Sequence, residues 1–322
     1  MSRRTVRLSA TALSAFKACP FRYFLRYVKG FVPAEEKKSL RYGTAWHQVL
    51  ELLSLEPGSV CPECAKGQKN SDCPICLGTD AVPDDPMDAA CRVIGQAYAE
   101  KDGMDPEEAE LEQIQILYAA TMYRYLYAEQ LIPVVARELS FRLPLVGAGG
   151  RALPGVSVDG KIDKLVKPGS VCVMEHKTTS KSIDQGSDYW NRLTLDTQIS
   201  LYTWAANRLA ADGSLAPWKI KEGATISGVY YDVFHKPGIS PKKMTQAESA
   251  EFVKTGTYCG QQFNVTEPGT DGPIAVFVNG VLAQIEPGKK EGTFAIRETP
   301  QMYGARLMVD IAERPEFYFA RK

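Results

Sequence analysis

The chain has 322 residues, 44% of them hydrophobic and 24% charged, with 38 Lys plus Arg against 38 Asp plus Glu and a formal net charge of zero. This is the composition of a globular protein with material for a large core, and it excludes nucleic-acid binding by bulk basicity, so any such contact needs a local patch. No apolar run reaches the length of a membrane span, and Met1-Ser-Arg-Arg-Thr-Val-Arg7 lacks the apolar stretch of a signal peptide. A cytoplasmic, intracellular protein is expected, in which eight cysteines point to metal sites rather than disulfides.

Ser9 and Thr11 are candidate caps for a first helix; Cys19-Pro20 breaks it, and Phe21-Arg-Tyr-Phe-Leu-Arg-Tyr-Val28 starts a second. Residues 40–54 read as a helix carrying Trp46, His47, Leu50 and Leu53. Residues 57–87, rich in Gly, Pro, Cys and Asp, read as an inserted loop module. Helical patterning returns over 88–131, where Tyr118, Met122, Tyr125 and Leu126 recur at three- and four-residue spacing as a core stripe. Strands are expected at 134–145, 156–166 and 171–177, then a helix near 191–210, strands at 224–234 and 275–285, and a last helix over about 298–313 capped by Thr299. Alternating helical and strand blocks without an internal repeat indicate a mixed α/β (α+β) architecture.

Two of these strands carry the most informative residues. They are Val158-Asp-Gly-Lys-Ile-Asp163-Lys-Leu-Val and Val171-Cys-Val-Met-Glu175-His-Lys177-Thr-Thr, joined by a turn at Lys167-Pro-Gly-Ser170. Across such a hairpin Asp163 and Glu175 come side by side, and Glu175 and Lys177 share a strand face. Glu-x-Lys on a strand is commonly a solvated, self-compensating pair. Here Val171, Val173 and Met174 suggest a buried strand, where an acidic pair calls for a cation. Two carboxylates and an ammonium are hard-ligand equipment for Mg²⁺ or Mn²⁺ and for phosphodiester hydrolysis.

Candidate companions are His47, in Gly43-Thr-Ala-Trp-His47, and the pair Gln198 and Tyr202, four apart on one helix face. Cys61-Pro-Glu-Cys64 and Cys73-Pro-Ile-Cys76 form two knuckles eight residues apart. They suit a closed, structural tetrahedral Zn²⁺ site better than two redox pairs, and Lys66, Lys69 and Asn70 could present a partner or DNA contact. Scattered basic residues (Arg3, Arg4, Arg7, Arg22, Arg26, Lys242, Lys243, Arg297, Arg306) and the rings of Tyr23, Tyr27 and Trp190 are candidates for following a phosphate backbone and stacking on bases, against a plainer reading as solvated charge and core packing.

The ordered set Leu13-Ser-Ala-Phe-Lys-Ala-Cys19-Pro20-Phe-Arg-Tyr23, Gly43-x-x-x-His47, Gly160-x-x-Asp163, Glu175-x-Lys177-Thr178 and Gln198-x-x-x-Tyr202 resembles the RecB-like branch of the PD-(D/E)XK nuclease superfamily. Ile162 stands where the name-giving motif has proline, as in many RecB-like members. The resemblance implies a restriction-endonuclease-like central mixed sheet flanked by helices. The expected parts are an N-terminal helical part (1–56), a zinc-knuckle insert (57–87), a helical region (88–133), the nuclease core (134–235) and a C-terminal part of the same domain (236–322). It implies His47, Asp163, Glu175 and the His176 backbone carbonyl as ligands of Mg²⁺ or Mn²⁺. Lys177 would orient water or stabilise charge, and Gln198 and Tyr202 would shape the site and contact DNA; of the basic and aromatic candidates above, Tyr23, Arg26 and Arg297 are the ones expected to touch DNA. An iron–sulfur cluster of the kind some relatives carry is not expected, because Cys259 is the only late cysteine beside Cys19; an iron–sulfur cluster in the 61–76 module stays an alternative to zinc, because thiolates bind both metals. The implied activity is a metal-dependent DNA nuclease, an exonuclease on ends or single strands, in repair, recombination or phage DNA metabolism. The alternative is a silent DNA-binding scaffold for a helicase or recombinase partner.

Overall fold

A computed structural model describes residues 6–33, 37–66, 71–99, 103–128, 132–267 and 275–322. In chain order the helices and strands are β1 (Val6–Leu8), α1 (Ala10–Ala18), α2 (Pro20–Tyr23, continuing as a π-helical turn Phe24–Val28), α3 (Lys38–Leu53), α4 (Pro86–Ala99), α5 (Pro106–Leu126), β2 (Val134–Val146), β3 (Ala152–Val166), β4 (Cys172–Thr179), α6 (Asp188–Leu193), α7 (Thr197–Ala211) and β5 (Gly228–His235). There follow α8 (Gln246–Thr255), β6 (Thr257–Tyr258), β7 (Gln261–Gln262), β8 (Val265–Thr266), β9 (Phe277–Val278), β10 (Val281–Leu282), β11 (Ile285–Pro287), β12 (Phe294–Ile296), α9 (Pro300–Glu313), α10 (Pro315–Tyr318) and β13 (Phe319–Arg321). They make two compact units: Met1–Gly43 with Glu129–His235 and Phe319–Lys322, and Thr44–Ala128 with Lys236–Tyr318. No helix among the described residues is long and apolar enough to cross a membrane.

The first unit is built on a mixed six-stranded sheet in the order β1-β3-β4-β5-β13, with β2 on β3. β2 runs antiparallel along almost the whole of β3. The other edge of β3 is shared: Val156–Val158 pair in parallel with β1, and Lys164–Val166 pair antiparallel with β4. The edge between them, residues 159–163, is released from both neighbours. β4 then runs parallel to β5 from Cys172 to Thr179, and β13 closes the far side against β5. One face carries α7, whose Ile199, Tyr202, Ala205, Ala206 and Ala210 join Phe141, Val158, Ile162, Leu165 and Val173 in a buried core. Three- and four-residue spacing with small alanines lets the helix sit close on the sheet. The reverse face has a smaller apolar cluster of Val166, Cys172 and Met174.

Side-chain alternation breaks midway along the central hairpin. Ala136 and Leu139 on β2, and Ile162 and Leu165 on β3, all enter the α7 core although each pair is three residues apart, which a strict period of two forbids. The irregularity falls where Glu138, with φ at 48°, stands between the register pairs Arg137↔Lys164 and Leu139↔Ile162, and so opposite Asp163. Irregularities of this kind re-aim a side chain next to a site.

The second unit combines α4, α5, α9 and the later part of α3 with short strands. α5 packs on α9, where Gly304 admits Ile114 and Tyr118 so closely that an added Cβ would lie 2.9 Å from each. α8 and β6–β12 enclose a core of Met244, Phe252, Phe263, Val276, Val278 and Ile296. Glu298 anchors this part: Arg306 donates to both its carboxylate oxygens at 2.6 and 2.7 Å, and the Tyr258 hydroxyl and the Lys242 N–H donate to it as well.

Several elements differ from the sequence expectation. The helical region expected over 88–131 is made of two helices, because Asp105 caps α5 and Pro106 occupies its first position. The helix expected over 191–210 is also two, restarted by Asp196, whose carboxylate accepts the Gln198 N–H at 2.7 Å. The strand expected over 275–285 folds back at Asn279-Gly280, both left-handed (φ 50° and 82°), as a two-residue hairpin loop requires. Tyr125 of the expected core stripe is exposed, since α5 buries the face of Ile114, Ile116, Ala119, Ala120 and Met122. Cys19 is exposed in an extended link between α1 and α2.

Gly160 joins the sheet to the helix above it. A Cβ there would lie 2.5 Å from the Phe141 ring and 3.0 Å from Tyr202, so glycine is what lets the ring lie across β3. Gly160→Ala is expected to destabilise the protein by about 1–3 kcal/mol through overpacking, read as a lowered Tm; an unchanged Tm would contradict this packing.

Candidate active site

The paired part of the β3–β4 hairpin ends at Lys164↔Met174, and the next step in that register sets Asp163 opposite Glu175. The strands separate there, and the Asp163 side chain takes over from the ladder: Oδ2 accepts the His176 N–H at 2.9 Å. Asp163 is 8% exposed and Glu175 1%. Burying two carboxylates together is costly unless cations or hydrogen bonds compensate them.

Lys177 supplies one such compensation. Its Nζ donates to Glu175 Oε1 at 2.7 Å and to Gln198 Oε1 at 2.7 Å, and lies 3.7 Å from Asp196 Oδ2. The Gln198 amide is oriented from its other side, where Nε2 donates to the Tyr202 hydroxyl at 3.2 Å. Burial, with the charges of Glu175 and Asp163 adding to it, pushes the Tyr202 phenol up to about 12, so it stays a neutral partner. Tyr189 is likewise raised to about 12 by burial and by Asp196. The fork of β3 and β4 and the first two turns of α7 thus bring together Asp163, Glu175, Lys177, Gln198 and Tyr202. Asp196 was not singled out by sequence; Asp-Thr-Gln opening a helix is an N-cap signal, and the cap sits within reach of the lysine.

Between Glu175 and Lys177, His176 points to the opposite face of the sheet. Its Nδ1 lies 3.1 Å from Asp232 Oδ2 on β5, and Arg321 Nε lies 3.3 Å from Asp232 Oδ1. Burial, then the Lys164 charge, hold the His176 imidazole below its ordinary value, so it is neutral at pH 7. Burial also lowers the Lys164 ammonium, to about 8, against the pull of Asp232 and Asp163.

The remaining expected residues sit on other elements, each described within its own unit. His47 is on α3, in the part belonging to the second unit. Tyr23 ends α2 and Arg26 lies in the π-helical turn of the first unit. Arg297, in the second unit, bridges Lys243, whose ammonium pairs with Glu286 at 2.8 Å. Arg306 is committed to Glu298, Arg7 to Asp159, and the Trp190 ring faces Lys322 with its N–H on the Ile183 carbonyl. Arg3, Arg4, Lys69 and Asn70 lie outside the described residues.

Two buried carboxylates on adjoining strands are a hard oxygen donor set, which fits a divalent ion of the Mg²⁺ class. The four cysteines form a soft one. Cys61, Cys64, Cys73 and Cys76 are buried with their sulfurs all within 4.8 Å of one another. The edges Cys61–Cys73 and Cys64–Cys76 are 3.8 and 3.5 Å, close to the roughly 3.8 Å edge of a tetrahedron with ~2.3 Å Zn–S bonds. The module hangs from a short antiparallel stem in which Val60 bridges Ala81. Its second knuckle turns through left-handed Leu77 and Gly78 and is clasped by Arg92 of α4, which donates to the Pro74 and Ile75 carbonyls at 2.8 and 2.9 Å. Against burial, which pushes it up, the hydrogen bond with Cys64 and the N–H groups of Gly78 and Asp80 bring the Cys76 thiol down to about 7. We expect a single zinc ion per chain, lost in Cys73→Ser and released on strong acidification, because protons compete with the metal for the thiolates. Metal analysis after dialysis tests this, and full zinc content in the variant would contradict it.

No curated protein matches the sequence. A family model for the PD-(D/E)XK nuclease superfamily matches residues 7–273, a span that includes both the β3–β4 fork and the first turns of α7. The chain belongs to the PD-(D/E)XK nuclease superfamily, and with it to the metal-dependent nucleases.

Proposed function

We propose that the chain is a RecB-like deoxyribonuclease dependent on Mg²⁺ or Mn²⁺, an exonuclease acting on DNA ends or single strands in repair, recombination or phage DNA metabolism. The observation that carries this reading is Lys177 clamped between Glu175 and Gln198 at the point where Asp163 leaves the β3–β4 ladder. Asp163 and Glu175, the His176 carbonyl and His47 are the proposed ligands. The bound ion supplies Lewis-acid activation of the phosphodiester and of water.

The protein groups do the rest. A lysine ammonium has three N–H donors; Glu175 and Gln198 take two of Lys177's, fixing where the third points. That donor is proposed to meet the water or the non-bridging phosphate oxygen on which charge grows, where a prepositioned cation lowers the barrier without reorganising. Tyr202 keeps Gln198 in place, and Asp196 caps the first turn of α7. Glu175 also neutralises Lys177 when substrate is absent.

Asp163→Asn and Lys177→Ala are expected to lower cleavage of end-labelled DNA at least ~10²-fold with the fold intact. Gln198→Ala removes one hydrogen bond to a charged group and is expected to cost ~10- to 100-fold. Cleavage that persists in EDTA, or full activity in Lys177→Ala, would overturn the reading.

A further inference from the structure

We propose that the N-terminal helices are a stacking platform for single-stranded DNA, adjoining the helix that carries Gln198 and Tyr202. This names the substrate form of the nuclease reading and rests on it. Residues 6–33 hold Arg7, paired with Asp159, together with Lys17, Arg22, Arg26 and Lys29, and not one Asp or Glu, in a chain whose charges balance overall. The same stretch holds six rings: Phe16, Phe21, Tyr23, Phe24, Tyr27 and Phe31.

A helix packed on a core buries its rings. Here Phe16 is 51% exposed, Phe21 66% and Phe31 66%, and no residue from Pro20 to Val28 is buried. The rings nevertheless order one another. Phe16 meets Tyr23 edge-on at 5.5 Å, Tyr23 stacks on Tyr27 at 5.4 Å, and Phe21 stacks on Phe24 at 6.4 Å. Each group carries a cation: Arg26 lies 5.7 Å from the Tyr27 ring centre and Lys29 lies 5.5 Å from that of Phe24. The backbone beneath is the π-helical turn Phe24–Val28, closed by the Lys29 N–H on the Phe24 carbonyl at 2.9 Å. Such turns are rare and gather at functional sites, and this one serves no burial of its own residues.

The platform is tied to the site. α1 packs on α7, and Lys17 Nζ donates to Thr197 Oγ1 at 3.1 Å, one residue before Gln198. Open rings with interleaved cations fit a strand whose bases stack on the rings while its phosphates meet the cations. In a duplex the base faces are already stacked on one another. Aromatic rings and arginine are enriched at protein–protein interfaces as well; what favours nucleic acid here is a run of cations with no acidic residue among them.

The test is fluorescence anisotropy of labelled oligothymidylate and of a blunt duplex of equal length, in EDTA so that nothing is cut. Phe21→Ala/Phe24→Ala and Arg22→Gln/Arg26→Gln are compared with wild type, with thermal melting as the check of fold. The ring variant is expected to lose at least ~10-fold in single-strand affinity with an unchanged salt slope. The arginine variant is expected to weaken binding and to reduce the salt slope by about 1.4. Wild-type affinity in both variants, duplex preferred over single strand, or no binding of either DNA, as for a surface that takes a protein partner, would each overturn the platform. Single-strand binding lost in these variants, by a protein that never cuts DNA with Mn²⁺, would leave the platform standing and remove the nuclease reading alone.

Discussion

Where β3 and β4 part, the carboxylate of Asp163 accepts the His176 N–H that the sheet ladder no longer satisfies, 2.9 Å away. A buried N–H without a partner costs free energy comparable to a lost hydrogen bond, so the strands can separate there because a side chain closes the gap. The consequence is chemical. An acid is held at the centre of the sheet, with Glu175 opposite it and Lys177 two residues on. The shared edge of β3, claimed by β1 at one end and β4 at the other, keeps the opening in place.

Charge is arranged in two layers about this point. On the α7 side, Glu175, Lys177 and Gln198 form a chain ending on the Tyr202 hydroxyl. On the reverse side, His176 and Arg321 face Asp232, with Lys164 within its field. Buried ionic groups seldom add stability over apolar packing, and two layers on one strand are an expense that packing alone does not explain. A strand whose odd residues work and whose even residues are pinned from behind is a rigid mount, and rigidity is what a preorganised site requires.

Much of this was legible in the sequence because the decisive spacings are local. Asp163 and Glu175 are brought together by one hairpin, Gln198 and Tyr202 by one helical turn, and the four cysteines by two knuckles. What escaped depended on backbone detail or on distant pairing. Asp232 meets His176 through a parallel strand pairing that only the folded sheet reveals. Asp196 was hidden inside an expected continuous helix, and the hairpin at Asn279-Gly280 inside an expected continuous strand. Tyr125 obeyed helical periodicity and still faced solvent, because periodicity gives a stripe and not the side on which the core lies. For His47, sequence order remains the argument.

The most direct test of the central claim is calorimetric titration of Mn²⁺ into zinc-replete protein, with Glu175→Gln and Lys177→Ala in parallel. If Asp163 and Glu175 hold the ion and Lys177 serves the substrate, binding is seen in the wild type, persists in Lys177→Ala and is lost or greatly weakened in Glu175→Gln. Equal Mn²⁺ binding by wild type and Glu175→Gln would contradict that claim.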